Sequence, residues 1–266
     1  MRQGIFKWIA RSVMLALLLA SAPAVAQRSD DSETLRPDAD ADPTRPILGS
    51  LRDEYDRLPD HAWANATILR FDMLAIQNAV LPGSARGILL RADIPVITTS
   101  VDGVTHFGTG DLYGQAAVVP RLSQEFTIAA GTGAVFPTAT SPYTGSGKWQ
   151  LAPIVAPVWF LPNRQGLAYL KVQDFISVAG HADRPGIDYL LVTPTLFYWF
   201  SSSVFVLGDT ESSTDWKAGA RTSLRSGLQV GSMFTRRMGM WIKGEVPWGP
   251  NREDLWTLKV TAFVIR

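Results

Sequence analysis

The sequence predicts an all-β protein, an antiparallel transmembrane β-barrel of twelve strands, with ten strands as the alternative. Three observations predict this fold. Hydrophobic and polar residues alternate in segments of about ten residues from Ala66 to Arg266, the chain starts with an export signal, and cysteine is absent. Successive side chains of a strand point to opposite faces, so this alternation produces one polar and one apolar face. In an exported chain, a closed barrel with lipid outside and water inside accommodates both faces.

The first 26 residues have the pattern of a secretory signal peptide. Arg2, Lys7 and Arg11 form a basic n-region before an apolar segment at residues 13–20, and Ala24-Val25-Ala26 forms an A-x-A cleavage site. The alternative is a retained membrane anchor, but the apolar run is shorter than the roughly 20 residues that a transmembrane helix needs. We therefore expect cleavage and export, and we expect any membrane-embedded part of the mature chain to consist of strands.

An acidic, proline-rich segment follows at residues 27–60. It carries five Arg and ten Asp or Glu residues, a net charge of −5, whereas the whole chain has a formal net charge of +1. This composition predicts a solvated, largely disordered periplasmic leader in front of a barrel domain at residues 61–266. A short helix over about residues 47–58, either plugging the lumen or lying free, is an alternative for the second half. One face of that helix would hold Leu48, Leu51, Tyr55 and Leu58.

Eleven strands are predicted from Ala66 onward, and their connections alternate between short turns and longer polar loops. Outer-membrane barrels have short periplasmic turns and long external loops, so the first of these strands runs inward. A chain that starts in the periplasm needs one earlier outward strand, within about residues 47–64, which brings the total to an even twelve. The ten-strand alternative leaves the first segment out of the wall. The predicted strands lie at 66–78, 87–98, 110–121, 125–138, 148–161, 167–179, 187–200, 203–209, 217–234, 238–248 and 255–266.

Charged and large apolar residues occupy opposite parities in several predicted strands. In the second one, Arg91 and Asp93 oppose Leu90 and Ile94. A soluble sandwich or lipocalin-like barrel also alternates, but its apolar face would point inward and Arg91 would face bulk water. We therefore assign the charged parity to a wet lumen, with eight basic and three acidic candidates that together favour anionic solutes. The lumen-lining candidates are Arg70, Arg91, Arg121, Lys171, Arg221, Arg225, Lys243 and Lys259, with Asp72, Asp93 and Glu245.

Two Arg-x-Asp pairs, Arg70/Asp72 and Arg91/Asp93, lie on consecutive predicted strands and on the same parity. One interpretation is a cross-strand ladder of salt bridges that holds the register of the two strands. The other is a charged ring that selects solutes. The two interpretations are compatible, and the sequence favours the structural one.

Several segments in the middle of the chain carry a family resemblance. Gly108-Thr109-Gly110-Asp111-Leu112 is similar to a G-x-G-D-[LI] segment, and Ser177–Pro185 resembles S-x-A-G-x-x-x-R. Phe136-Pro137-Thr138-Ala139-Thr140 with Gly145-Ser146-Gly147-Lys148-Trp149 resembles a PTAT…G-[ST]-G-K-W hallmark. Together they resemble the outer-membrane β-barrels described as transporters and linked to phenol meta-cleavage operons. The resemblance covers about residues 68–266 and implies a barrel that passes a small molecule, although this chain ends in Arg266 where many outer-membrane barrels end in Phe.

Motifs for covalent chemistry or cofactor binding are weak. The segment Gly145–Trp149 lacks the first glycine and the Ser/Thr of a phosphate-binding loop, and it is better explained as a loop entering a strand. The three histidines, His61, His106 and His181, are scattered over the leader region and two predicted external loops. They form no specific motif for activating a nucleophile. The absence of cysteine excludes disulfide bonds and cysteine-ligated metals, and we predict no cofactor and no metal site.

The sequence therefore predicts a non-enzymatic, porin-like channel in the outer membrane for passive passage of small solutes, with organic anions or aromatic acids as the expected class. Its expected partners are outer-membrane lipid and a small-molecule solute, and no nucleic acid. The alternatives are a lipid-modifying barrel enzyme and a non-conducting structural or surface-binding barrel.

Overall fold

A computed structural model describes residues 47–74, 85–120 and 122–265, and these residues form thirteen β-strands. The predicted signal peptide and most of the predicted leader lie outside the described residues. Within those ranges, a 3₁₀ turn spans Pro162–Arg164, and no helix has the length and apolar character needed to cross a membrane. The strands are β1 (Ile47–Arg57), β2 (Trp63–Leu74), β3 (Ala85–Val101), β4 (Val104–Thr109), β5 (Leu112–Pro120), β6 (Phe126–Phe136), β7 (Lys148–Phe160), β8 (Gly166–Gly180), β9 (Asp188–Trp199), β10 (Val204–Asp215), β11 (Arg221–Met233), β12 (Met238–Trp248) and β13 (Trp256–Ile265).

The strands form one closed antiparallel sheet. β1 closes it, because it pairs with β13 on one edge and with β2 on the other. β4 and β5 share a single wall position, since β4 pairs with Val96–Val101 of β3 and β5 pairs with the stretch Ala85–Asp93 of the same strand. The wall therefore has twelve strand positions. The predicted twelve-stranded antiparallel barrel is confirmed, and the ten-strand alternative is wrong.

The first strand lies where the sequence analysis placed a missing strand, but inside the segment that it also assigned to the leader. The helix predicted there is wrong, and the wall includes residues from Ile47 onward rather than from residue 61. Alternation fails in β1 because both faces carry charge: Arg52 points into the lumen, whereas Asp53 lies on the outer face. The Asp53 carboxylate accepts hydrogen bonds from Asn65 Nδ2 at 2.6 Å and Thr67 Oγ1 at 3.0 Å. The carboxylate therefore has hydrogen-bond partners within the protein. Because a charged residue occupies the outward parity, the alternation that marks the other strands is missing from β1.

The other predicted strands match the described residues within a few positions, except at β10, and β4 lies in a stretch where no strand was predicted. The prediction ended β10 at Asp209, but the strand continues to Asp215. The added residues are polar on both faces, and the Thr214 hydroxyl lies 2.9 Å from the Thr222 hydroxyl of β11. An apolar pattern cannot mark a strand segment that has no apolar face, so the sequence signal ends before the strand does.

The outer face of the wall is apolar over its central part. Trp149 and Trp159 are both exposed there, near opposite ends of β7, which is the placement that their shared parity predicted. The charged parities point inward, the reverse of a soluble barrel. Further exposed apolar side chains on this face are Phe71, Met73, Leu151, Val155, Leu196, Leu228, Val230, Ile242 and Val246.

Two cross-strand ion pairs hold the register between β2 and β3. In the pairing, Arg70 lies directly opposite Asp93, and Asp72 lies directly opposite Arg91. Each guanidinium donates two hydrogen bonds to its carboxylate, at 2.7 and 2.8 Å for Arg70–Asp93 and at 2.8 and 2.9 Å for Arg91–Asp72. A slip of one residue would separate both pairs and turn every side chain of the strand to the opposite face. The predicted salt-bridge ladder is therefore present.

Replacing leucine with arginine on each face tests the assignment of faces. Leu228 of β11 is 61% exposed on the outer face, whereas Leu191 of β9 lines the lumen. We expect Leu228→Arg to lower the free energy of unfolding from lipid vesicles by about 2–4 kcal/mol, because the charge must enter hydrocarbon. The matched control Leu191→Arg is expected to cost much less. Equal losses in urea titrations of the two variants would contradict the assignment.

A charge-reversal cycle tests the ladder. Arg70→Asp or Asp93→Arg alone places like charges opposite one another, and the double reversal restores an attractive pair. We expect a coupling energy of about 1–3 kcal/mol in the free energy of unfolding. As a control, the same reversal at Arg221 and Asp215, which face each other at the long-loop end, should couple by less than about 1 kcal/mol. A coupling energy near zero at Arg70 and Asp93 would show that the ladder charges act independently.

Candidate functional site

A central cavity of about 660 Å³ occupies the lumen, and every wall position contributes side chains to it. Because alternate residues of a strand point inward, each strand supplies residues two apart, such as Arg91 and Asp93 on β3 or Lys243 and Glu245 on β12. The sheet thus collects residues that are far apart in sequence into one wet chamber.

Most of the sequence-predicted site residues line this cavity. Asp72 does not, since it is 2% exposed and lies behind the Arg91 guanidinium that it binds. Arg221 also does not line the cavity and is exposed at the long-loop end of β11. Arg121 lies outside the described residues. The predicted residues that do line the cavity are Arg70, Arg91, Asp93, Lys171, Arg225, Lys243, Glu245 and Lys259.

The sequence analysis missed five charged lining residues, four of them acidic. Arg52 and Glu54 were missed because β1 was assigned to the leader. Asp209 was the last residue of the predicted strand and was given no face, and Glu211 lay beyond the predicted end of β10. Among the described residues, the lining therefore holds seven basic and six acidic groups, which differs from the predicted excess of eight over three. Extending the inward parity of Leu207 by two more positions would have found both acidic residues of β10. The basic groups are Arg52, Arg70, Arg91, Lys171, Arg225, Lys243 and Lys259, and the acidic groups are Glu54, Asp93, Asp111, Asp209, Glu211 and Glu245.

The charges on β10–β13 and β1 form a connected network around Glu245. Lys243 Nζ lies 2.5 Å from Asp209 and 2.7 Å from Glu245, and Lys259 Nζ lies 2.9 Å from Glu245. Lys259 also reaches Glu54 of β1 at 3.3 Å. Glu245 is 5% exposed, and several ammonium groups around one carboxylate offset the cost of removing that charge from bulk water. The network ties the first strand to the last three.

The opposite wall, built by β5–β9, is lined by uncharged side chains with one exception, Lys171, among the described lining residues. Tyr113 Oη donates to Gln115 at 2.7 Å and accepts from Gln173 Nε2 at 2.8 Å. The Phe175 ring stacks on a neighbouring tyrosine of β9 with 4.8 Å between centroids. The chamber therefore has a charged, internally paired arc facing a polar and aromatic one.

An apolar cluster fills the lumen at the end where the turns are short. Two glycines make room for its rings: a Cβ at Gly231 would lie 2.0 Å from the Phe205 ring, and a Cβ at Gly239 would lie 2.6 Å from the Phe263 ring. Trp241 belongs to the cluster and also lines the cavity, so the cluster forms the floor of the chamber. Its buried members are Val158, Leu167, Phe197, Trp199, Phe205, Leu207, Met233, Trp241, Phe263 and Ile265.

The family-like segments meet at the long-loop end of the barrel. Asp111, between β4 and β5, accepts hydrogen bonds from the Ser146 N–H at 2.6 Å, the Ser146 hydroxyl at 2.7 Å and the Ala139 N–H at 3.1 Å. Lys148 Nζ donates to the His181 carbonyl at 2.6 Å. These bonds fasten the loop between β6 and β7 to the wall, and Asp111 also lines the cavity. The segments thus shape the outer vestibule, and the glycine-rich one is a loop entering β7, as its sequence indicated.

The histidines lie apart from one another. His61 Nδ1 lies 3.3 Å from Arg57 Nη2 in the β1–β2 turn, the His106 ring stacks on Tyr143 with 3.6 Å between centroids, and His181 is exposed. None of the three rings hydrogen-bonds to a serine or threonine hydroxyl within residues 47–74, 85–120 and 122–265. The same ranges hold no group of three or more His, Asp or Glu residues placed to bind a metal ion. The described residues thus contain no histidine paired with a serine or threonine nucleophile.

Comparison with known proteins finds the fold rather than a sequence family. No protein-family profile matches the chain, and no curated protein sequence matches it. Among solved structures, a COG4313 outer membrane channel from Pseudomonas putida F1 matches with a TM-score of 0.69 and 12% sequence identity, over 89% of this chain and 99% of that one.

Two porins also share the fold. The NanC porin matches with a TM-score of 0.58 at 10% identity, covering 82% of this chain and 100% of its own. The KdgM porin matches with a TM-score of 0.55 at 8% identity, covering 82% of this chain and 99% of its own. The chain therefore has the closed β-barrel fold of outer-membrane channels and porins, which agrees with the barrel that the sequence resemblance implied.

Proposed function

We propose that this protein is an outer-membrane channel for the passive passage of small polar solutes. The observation that carries the proposal is the 660 Å³ chamber, lined by charged and polar side chains from every wall position, inside a barrel whose outer face is apolar. A polar lumen within an apolar band is the arrangement of barrels that conduct solutes through lipid. The shared fold with channels and porins and the predicted export signal support the outer membrane as its location.

The chamber size and charge set the expected solute class. Cavities of about 300–1,000 Å³ accommodate small organic molecules. Seven basic and six acidic lining groups, most of them paired, leave little net field along the pore, so the charge balance gives weaker support for organic anions than the sequence count did. Aromatic acids and the link to phenol meta-cleavage operons stay predictions that rest on the resemblance alone.

A non-conducting structural barrel is the second candidate, and the apolar floor of the chamber favours it. A hydrophobic constriction excludes water and can hold a pore closed to ions. The two candidates make opposite predictions for the parent protein, which conductance measurements separate directly.

Single-channel recording in planar bilayers tests the proposal. We expect the refolded protein to conduct ions with a reversal potential near zero in a KCl gradient, because the lining charges nearly balance. Lys171→Glu changes the lining to six basic and seven acidic groups without breaking an ion pair, and should shift the pore toward cations at low salt. Arg221→Glu, at the exposed rim, is the control and should shift it less. A parent protein that does not conduct would establish the structural barrel instead.

Truncating the apolar floor tests where the pore is narrowest. Trp241 is 3% exposed and faces the chamber, so Trp241→Ala should raise single-channel conductance while lowering the free energy of unfolding by about 3–5 kcal/mol. Trp248, on the outer face of the same strand and 45% exposed, provides the matched control: Trp248→Ala should leave conductance unchanged. Unchanged conductance in Trp241→Ala would place the constriction elsewhere.

A further inference from the structure

Two opposite charges in the chamber lack the ion pairs that neutralise their neighbours. Lys171 of β8 and Glu211 of β10 both line the cavity, yet neither makes a salt bridge or a side-chain hydrogen bond to any described residue. Glu211 lies directly opposite Arg225 in the β10–β11 pairing, but the Arg225 guanidinium instead contacts Glu245 at 3.5 Å and Asp254 at 3.2 Å. The Glu211 carboxylate therefore has no contact-distance ion pair among the described residues, and it attracts the Lys171 ammonium and the Arg225 guanidinium only from a longer distance.

A third polar group lies between these two charges. Thr193 of β9 is directly opposite Lys171 in the β8–β9 pairing, and β10 carries Glu211 on the other side of the same strand. Thr193 is 6% exposed and lines the cavity, and its hydroxyl has no hydrogen-bond partner among the described residues. An unsatisfied buried hydroxyl costs free energy unless a ligand or water bonds to it.

The three groups form one row across the inner surface of three adjacent strands. The backbones of β8 and β10 are roughly 10 Å apart, twice the spacing of neighbouring strands. Long side chains from the two outer strands can therefore present an ammonium and a carboxylate to the same solute, above the central hydroxyl. A solute ion of one sign would pair with only one of these two charges, whereas a solute that carries both signs would pair with both.

We propose that Lys171, Thr193 and Glu211 form a binding subsite for a small zwitterion of the α-amino acid class. The solute carboxylate accepts a hydrogen bond from the Lys171 ammonium and, when the Thr193 side chain rotates toward the cavity, a second one from its hydroxyl, and the solute ammonium donates to Glu211. The subsite rests on the proposed function, since it gives the channel a solute to which both free charges are complementary. Its position at mid-chamber makes it a site of selection rather than of chemistry.

Saturation-transfer NMR on the detergent-solubilised full-length barrel tests the subsite independently of conduction. Three probes of similar size test Lys171 and Glu211 separately. Alanine carries a carboxylate and an ammonium group, propionate carries the carboxylate alone, and isopropylamine carries the ammonium alone. We expect alanine to bind at least about tenfold more tightly than propionate or isopropylamine, because a factor of ten corresponds to one additional charge-assisted hydrogen bond. Glu211→Gln should reduce alanine to the affinity of propionate without changing propionate, and Lys171→Met should reduce alanine to the affinity of isopropylamine.

Further variants and conductance keep the outcomes distinct. Thr193→Val should weaken alanine and propionate alike, whereas Arg221→Gln at the exposed rim should change none of the affinities. Equal binding of alanine and propionate to the parent barrel would overturn the subsite, as would equal losses of all three probes in each variant. A barrel that binds alanine through Lys171 and Glu211 but conducts no ions would support the subsite and overturn the channel.

Discussion

Closure of the sheet by β1 is the constraint on which the rest of the structure depends. In lipid, every backbone N–H and C=O group must find a partner within the protein, and an open sheet edge would leave two strands unpaired. β1 removes both edges because it pairs with β13 and with β2 along its length. Its inward residues also complete the chamber, since Glu54 forms an ion pair with Lys259 of the last strand.

The chamber shows how a barrel holds many charges in a confined volume. On one arc, carboxylates and cations are interleaved, so that each charge removed from bulk water contacts an opposite one. Glu245 is the centre of this arrangement, with Lys243, Lys259 and Arg225 around it. The facing arc avoids the cost by using tyrosine, glutamine and threonine side chains. Lys171 and Glu211 depart from both arrangements, and the proposed subsite would give each of them a partner.

The floor of the chamber follows a different rule from the walls. There the inward parity carries Phe, Trp, Met and Leu instead of charges, and the rings of Phe205 and Phe263 occupy space that a Cβ at Gly231 or Gly239 would fill. The same alternation of inward and outward residues that lines the chamber with polar groups therefore builds the apolar floor near the short turns. The polar chamber and the apolar cluster thus follow one another along the lumen.

Strand parity made several features predictable from local sequence. In β3, β11, β12 and β13 charged and apolar residues separate cleanly, so the faces, the inward charges and the Arg–Asp ladder could be assigned. The alternation of turn lengths also predicted a twelfth strand before its position could be identified. The bounds of β1 were not predicted, because its outer face carries Asp53, which is hydrogen-bonded to Asn65 and Thr67. The outer part of β10 was not predicted, because residues 210–214 are polar on both faces. A local pattern cannot distinguish such segments from loops.

The sequence by itself determined that this chain is an antiparallel barrel with an apolar outside and a charged inside, because strand geometry converts a period of two into two faces. Only the tertiary structure decided which charges neutralise one another. Closure brings Glu54 to Lys259 and Asp209 to Lys243 across distances in sequence that no local pattern spans. The structure also places Glu54, Asp111, Asp209 and Glu211 in the lining, so that the basic and acidic groups of the described lining nearly balance. Lys171 and Glu211 have no ion-pair partner among the described residues, because electrostatic pairing depends on separation in space and not on position along the chain.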